Sequence, residues 1–235
     1  MIKKLFFLIL GIMTILMIFR KKITDWYFKH KVKYTVEQVV SKYEKRVFEN
    51  NKIDFEKAKI DSTNFEIALL AFKDTKKLEL YAKNQNSGYK LLKTYDFTAF
   101  SGKIGPKLVN GDKQIPEGIY AMEYLNPNSR YHLSMKVSYP NAFDLEKAKL
   151  DHRTDLGGDI MIHGKKVTIG CIPIGDKNIE EVFTLAAKST NQKFPIIIAP
   201  TDFRKNKKFP VIESINWENE LYSNIQSALE KYNTI

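Results

Sequence analysis

Cysteine is all but missing from this chain: 235 residues contain one, Cys171, so no internal disulfide can form. Histidine is scarce as well. His30, His132, His152 and His163 form no ligand-spaced cluster, and one thiol beside them falls short of the four ligands of structural zinc or the three of catalytic zinc. No cofactor and no metal are expected. Neither an internal repeat nor a low-complexity tract is present. Acidic side chains are outnumbered, 27 against 38, for a formal charge of +11. Lys3, Lys4, Arg20, Lys21 and Lys22 supply five of those charges, and the remaining six are scattered among acids rather than clustered. That pattern is a solvated basic surface, with attraction to anionic polymers or lipid as a secondary reading and no nucleic acid as partner.

What is present begins with residues 5 to 19, uncharged and almost wholly apolar, with lysines before them and Arg20-Lys21-Lys22 after. The run is short for a full span of about 20 residues, and no small-x-small cleavage pattern follows. An uncleaved signal anchor over residues 1–22 is expected, touching the cytoplasmic membrane. The flanking charges are nearly balanced and leave its orientation open.

The chemistry concentrates in residues 159 to 172, Asp-Ile-Met-Ile-His-Gly-Lys-Lys-Val-Thr-Ile-Gly-Cys-Ile. A thiol of pKa about 8.5 is mostly protonated at neutral pH and needs a base to become a nucleophile. His163 can take that proton and return it to a leaving amine, the division of labour that acyl transfer requires. Gly170 leaves backbone N–H groups beside Cys171 sterically open for an oxyanion, and Gly164 lets a carbonyl approach and orient the imidazole. Asp159 to His163 alternates polar and apolar, Gly164 to Lys166 can turn, and Val167 to Ile172 is β-branched, so a tight strand–turn–strand brings His163 and Cys171 together. Taken alone, a single cysteine reads more often as a small buried core residue than as a nucleophile.

His163-Gly164 followed by Thr168-Ile169-Gly170-Cys171-Ile172 resembles the HG…SxGC motif of the L,D-transpeptidase (YkuD-type) catalytic domain, above all its YafK-like subgroup. Upstream, Ser101-Gly102, Gly105-Pro106-Lys107, Gly111-Asp112 and Pro116-Glu117-Gly118 are similar to the family's SG…GPK…GD…PEG segment, and Tyr139 to Asp144 resembles its substrate-side loop. The resemblance covers roughly residues 60 to 205. It implies Cys171 as nucleophile and His163 as general base and acid, with Gly164 and Gly170 shaping the site and Arg153, Thr168, Asn141 and Lys107 contacting substrate. Thr168 replaces the usual serine and keeps its hydroxyl. Ile169 and Pro173 stand where many members have histidine and arginine, so substrate contacts of the wider family do not transfer to them.

Elsewhere, Val36, Val39, Val40, Tyr43 and Val47 recur at helical spacing behind a Thr35/Gln38 capping box, a helix expected to dock on the domain that follows. Phe65 to Ala82 reads as a hairpin broken at Lys73 to Lys76, with further strands at 89–95, 119–124, 131–137 and 194–199. Pro140-Asn141 reads as a turn, and Thr201 to Lys208 as a charged loop. Asp176 and Asn216 are placed to cap two late helices.

The expected fold is α+β: an L,D-transpeptidase-like β-sandwich or mixed sheet with flanking helices, divided as anchor 1–22, linker and amphipathic helix 23–58, and catalytic domain 59–235. The resemblance implies a cysteine enzyme on the periplasmic side of the cytoplasmic membrane, or exported beyond it, that cleaves L,D bonds of peptidoglycan stem peptides through a thioester. Release of a peptidoglycan-linked lipoprotein or of crosslinks is the first reading. A crosslinking or protein-attaching transpeptidase is the second, and a non-catalytic peptidoglycan-binding module the third.

Overall fold

Residues 66 to 72 carry an unbroken apolar run behind Glu66, which suits a strand covered on both sides rather than one with a wet face. In the computed structural model, which describes residues 33–232 together with Gly11, Phe19, Arg20, Lys22 and Ile23, Glu66–Phe72 is strand β1, and every residue after Glu66 is buried. It pairs antiparallel with β2 (Lys77–Lys83) and parallel with the late strand β8 (Pro195–Ala199). β3 (Lys90–Asp96), β4 (Gly118–Asn126), β5 (Ser134–Val137), β6 (Met161–His163) and β7 (Ile172–Pro173) complete one eight-stranded mixed sheet of order β3-β2-β1-β8-β4-β5-β6-β7. Register breaks in β4 between Met122 and Leu125, where the sheet passes from its β1–β8 half to its β5–β7 half. The observed α+β architecture is thus a single continuous mixed sheet with flanking helices.

Side-chain alternation along β1 sorts the core in two. Ile67, Leu69 and Ala71 pack with helix α1 (Val36–Ala58) and helix α3 (Asp176–Lys188), through Val39, Tyr43, Val47, Ile179, Val182 and Phe183. Ala68, Leu70 and Phe72 face the other way, onto helix α4 (Glu218–Leu229) and its Leu221, Tyr222 and Ile225. Each fully buried Leu, Ile, Val or Phe among them contributes about 1.5–3 kcal/mol.

Thr35 and Gln38 form the expected reciprocal cap, and α1 continues past Phe48 until Lys59 takes a left-handed conformation at φ 57°. Three expectations change. Residues after Asn141 form a helix, α2 (Ala142–Leu150), because Asn141 and Asp144 cap each other's backbone N–H. Gly175, not Asp176, is the N-cap of α3, since the Asp176 carboxylate is taken by the Lys165 N–H at 2.7 Å. Trp217, not Asn216, precedes α4, with no side-chain cap. The chain divides into Met1–Tyr34 and Thr35–Ile235, and all of the above concerns the second unit. The expected anchor over 1–22 lies almost wholly outside the described residues, among which no helix is long and apolar enough to cross a membrane.

Candidate active site

β6 and β7 run parallel, with Ile162 beside Ile172 and His163 beside Pro173. Alternation then puts Met161, His163 and, one residue before β7, Cys171 on a common face of the sheet. The thiol hydrogen-bonds the Asp159 carbonyl, with Sγ 3.6 Å from the oxygen, and the Met161 N–H is directed at the sulfur. Cys171 is partly exposed. His163, by contrast, is 1% exposed.

Nδ1 of His163 lies 2.6 Å from the Gly164 carbonyl. A carbonyl only accepts, so Nδ1 carries the proton and Nε2 presents its lone pair. Tyr131 lies against the imidazole, ring centroids 4.6 Å apart. No hydrogen bond joins His163 to Cys171. Burial lowers the His163 pKa, opposed by the Gly164 carbonyl, while burial raises that of the Cys171 thiol, opposed by the Met161 N–H. Both shifts favour a neutral imidazole and a neutral thiol.

The two glycines are constrained differently. A Cβ on Gly164 would stand 2.6 Å from Asp176 Oδ1 and 2.7 Å from the Tyr131 carbonyl, so the position is filled by neighbours. Gly170 has φ +130°, a conformation side chains avoid, and a Cβ there would meet the Gln114 carbonyl at 3.1 Å. The expected open N–H groups beside Cys171 are not open: Thr168 Oγ1 accepts from Gly170 N at 3.2 Å and Cys171 N at 2.8 Å, and donates to the Cys171 carbonyl at 2.7 Å. A hydroxyl two residues from a turn glycine folds back on these amides.

The other sequence candidates are held by the fold. Lys107 Nζ donates to Asp112 and to the Val109 carbonyl. The Arg153 guanidinium binds Asp151 and the Leu108 carbonyl. Asn141 caps α2 and donates to the Ile119 carbonyl. Lys107 thus braces the 101–118 loop internally, Arg153 ties that loop to the segment after α2, and Asn141 ties the start of α2 to β4.

Sequence reasoning missed four residues. Tyr131, Ser134 and Lys136 come to the site from β5 and the turn before it. Ser134 stands opposite His163, with a buried hydroxyl that has no partner, and Lys136 stands opposite Met161. Lys73, read as part of a turn, does open the β1–β2 turn, but its side chain is buried in an ion pair with Glu117 at 2.9 Å. It also donates to the Gly105 and Ile115 carbonyls, while Glu117 accepts from Gly105 N and the Tyr222 hydroxyl. This pair anchors the 101–118 loop, whose Gln114 carbonyl backs Gly170. The Glu of the PEG segment was a usable signal for it. Among the described residues no group of His, Cys, Asp and Glu is placed to hold a metal.

Two Escherichia coli proteins, of strains K12 and O157:H7, each named "Putative L,D-transpeptidase YafK", are 38% identical to this chain over 114 residues. The match covers 48% of this chain and 44% of each relative, so the chain spans less than half the length of the curated relatives it matches. Among solved structures, the helical cell shape determining protein Pgp2 of Campylobacter jejuni, as its K307A mutant, is similar with a TM-score of 0.48 at 20% identity, over 71% of this chain and 55% of that one. Bd1075 of Bdellovibrio bacteriovorus follows with a TM-score of 0.40 at 21% identity, over 70% and 56%. The model of the YkuD family, the L,D-transpeptidase catalytic domain, matches residues 66–198, from the first residue of β1 to the penultimate residue of β8, and the chain belongs to that family.

Proposed function

We propose that this protein is a cysteine enzyme of the cell envelope that cleaves L,D peptide bonds of peptidoglycan stem peptides, with release of crosslinks or of an attached lipoprotein. The observation that carries this reading is the imidazole of His163, fixed as the Nδ1–H tautomer by Gly164 with its Nε2 lone pair free, on the sheet face that bears the thiol.

Nε2 takes the thiol proton as Sγ attacks the scissile carbonyl. The C–N bond of the tetrahedral intermediate breaks, the leaving amine collects that proton from His163, and a thioester remains on Cys171. Water then attacks the thioester with His163 again as base, and the acid product leaves as the thiol is restored. The Gly170 and Cys171 N–H groups, held by Thr168 Oγ1, turn to the oxyanion when the substrate carbonyl competes for them. Pro173 stands beside His163 where the family resemblance places an arginine, so no side-chain cation from that position competes with water for the acceptor side.

One observation favours the second reading, a transpeptidase. Val167 is 56% exposed and Ile169 is 79% exposed on the segment that leads into Cys171, apolar surface able to hold an amine acceptor and exclude water. The two are separated by incubating the protein with tetrapeptide muropeptides and an excess of a D-amino acid. Cleaved products dominate if the protein is a hydrolase; dominance of exchanged or crosslinked products contradicts that assignment.

A further inference from the structure

Lys136 lies on β5 opposite Met161, whose N–H is directed at the thiol, and so projects onto the face that carries Cys171. Its side chain is only 12% exposed, and its ammonium donates to Asp159 Oδ1 at 2.8 Å. The carbonyl of the same Asp159 accepts the Cys171 S–H. Ammonium, aspartate and thiol therefore share one corner of the site. Lys107 also reaches the thiol with its field, but its ammonium is committed within its own loop to Asp112 and Val109.

A largely buried ammonium requires a counter-charge. Asp159 is a weak one, because its carboxylate is 89% exposed and water screens the pair. It follows Gly157 and Gly158 in the irregular segment before β6, in a left-handed conformation at φ 55° that Asp tolerates better than most residues. A second carboxylate arriving at the thiol can replace it at little loss, since Asp159 returns to water it already touches. The ammonium keeps a charge-assisted hydrogen bond throughout.

We propose that Lys136 binds a free carboxylate of the peptide substrate, on the D-residue side of the scissile L,D bond, and that Asp159 fills this subsite when no substrate is bound. This rests on Cys171 marking the reaction centre, and it adds the chemical group by which the peptide is placed over the thiol.

The test is calorimetric binding to the full chain carrying Cys171→Ala, with two probes: a stem tetrapeptide ending in D-alanine with a free C-terminal carboxylate, and the same peptide as its C-terminal amide. The acid is expected to bind roughly tenfold or more tightly than the amide, the size of one charge-assisted hydrogen bond. Lys136→Met abolishes that preference, Lys136→Arg retains part of it, and Asp159→Asn, an exposed change that spares folding, tightens the acid peptide alone. Equal binding of acid and amide, binding of neither, or a preference that survives Lys136→Met overturns the proposal. Binding is read on a chain without the thiol, so it is independent of turnover. An inactive wild-type protein that still prefers the acid refutes the catalytic reading and leaves the subsite standing.

Discussion

The phenol ring of Tyr131 lies against the imidazole of His163, with centroids 4.6 Å apart and planes tilted by 32°. Tyr131 is itself 41% exposed, so it screens the base from water on one face while presenting the other to solvent. Tyr131→Ala is expected to move the His163 pKa up, toward the ordinary value of about 6.5, and to lower turnover several-fold. Tyr131→Phe keeps both near wild type. Titration of the imidazole by NMR beside kcat measurements checks this, and an unmoved His163 pKa in the alanine variant refutes the screening role.

The pH profile follows from the same burial. His163 is held below the usual 6.5 and the thiol above its usual range, so the neutral pair that the proposed mechanism uses persists between them. Turnover is therefore expected to fall only on the acid side, with a midpoint under 6.5, as Nε2 takes a solvent proton. Stability has the same sign. The unfolded imidazole binds a proton more readily than the folded one, so the contribution of His163 is complete above 6.5 and declines as pH falls from there through the folded value. A midpoint above 6.5, or an alkaline limb beginning near 7, contradicts the neutral pair.

Gly164→Ala brings a methyl to within 2.6 Å of Asp176 Oδ1 and 2.7 Å of the Tyr131 carbonyl, so the backbone must shift. Overpacking of this kind destabilises by about 1–3 kcal/mol. The same shift moves the carbonyl that holds Nδ1, so kcat is expected to fall by more than the stability loss explains. Denaturant melts beside kinetics measure both, and an unchanged kcat means the Gly164 carbonyl does not position the base.

The Lys73–Glu117 pair is fully buried, and removal of one partner strands the other charge. Glu117→Ala is expected to lose about 3–5 kcal/mol in urea denaturation, while Lys73→Met with Glu117→Gln loses less, because no unpaired charge remains. Equal losses would place the energy in packing rather than in the pair.

Much of this was legible in the chain because its signals are local. His163 and Cys171 sit eight positions apart, and β-branched Val167, Ile169 and Ile172 lie close to the cysteine in sequence. The α1 cap was legible for the same reason. The β5 contributors were not: Tyr131, Ser134 and Lys136 lie some thirty residues upstream, and only the register of β5 on β6, set beyond the β4 bulge, brings them to the site. Helix α2 was hidden because its buried positions include Asp144 and Lys147, which break the apolar period. Lys73 reads as turn chemistry in a Lys-Asp-Thr-Lys run, and nothing within the run points to a carboxylate at position 117.

The measurement closest to the central claim is mass spectrometry of muropeptides incubated with the wild-type protein and with its Cys171→Ala and Cys171→Ser variants, each shown to be folded. The account expects L,D cleavage by the wild type and none by either variant, because a serine hydroxyl beside one imidazole is a far poorer nucleophile than a thiol. Cleavage retained by either folded variant would contradict it.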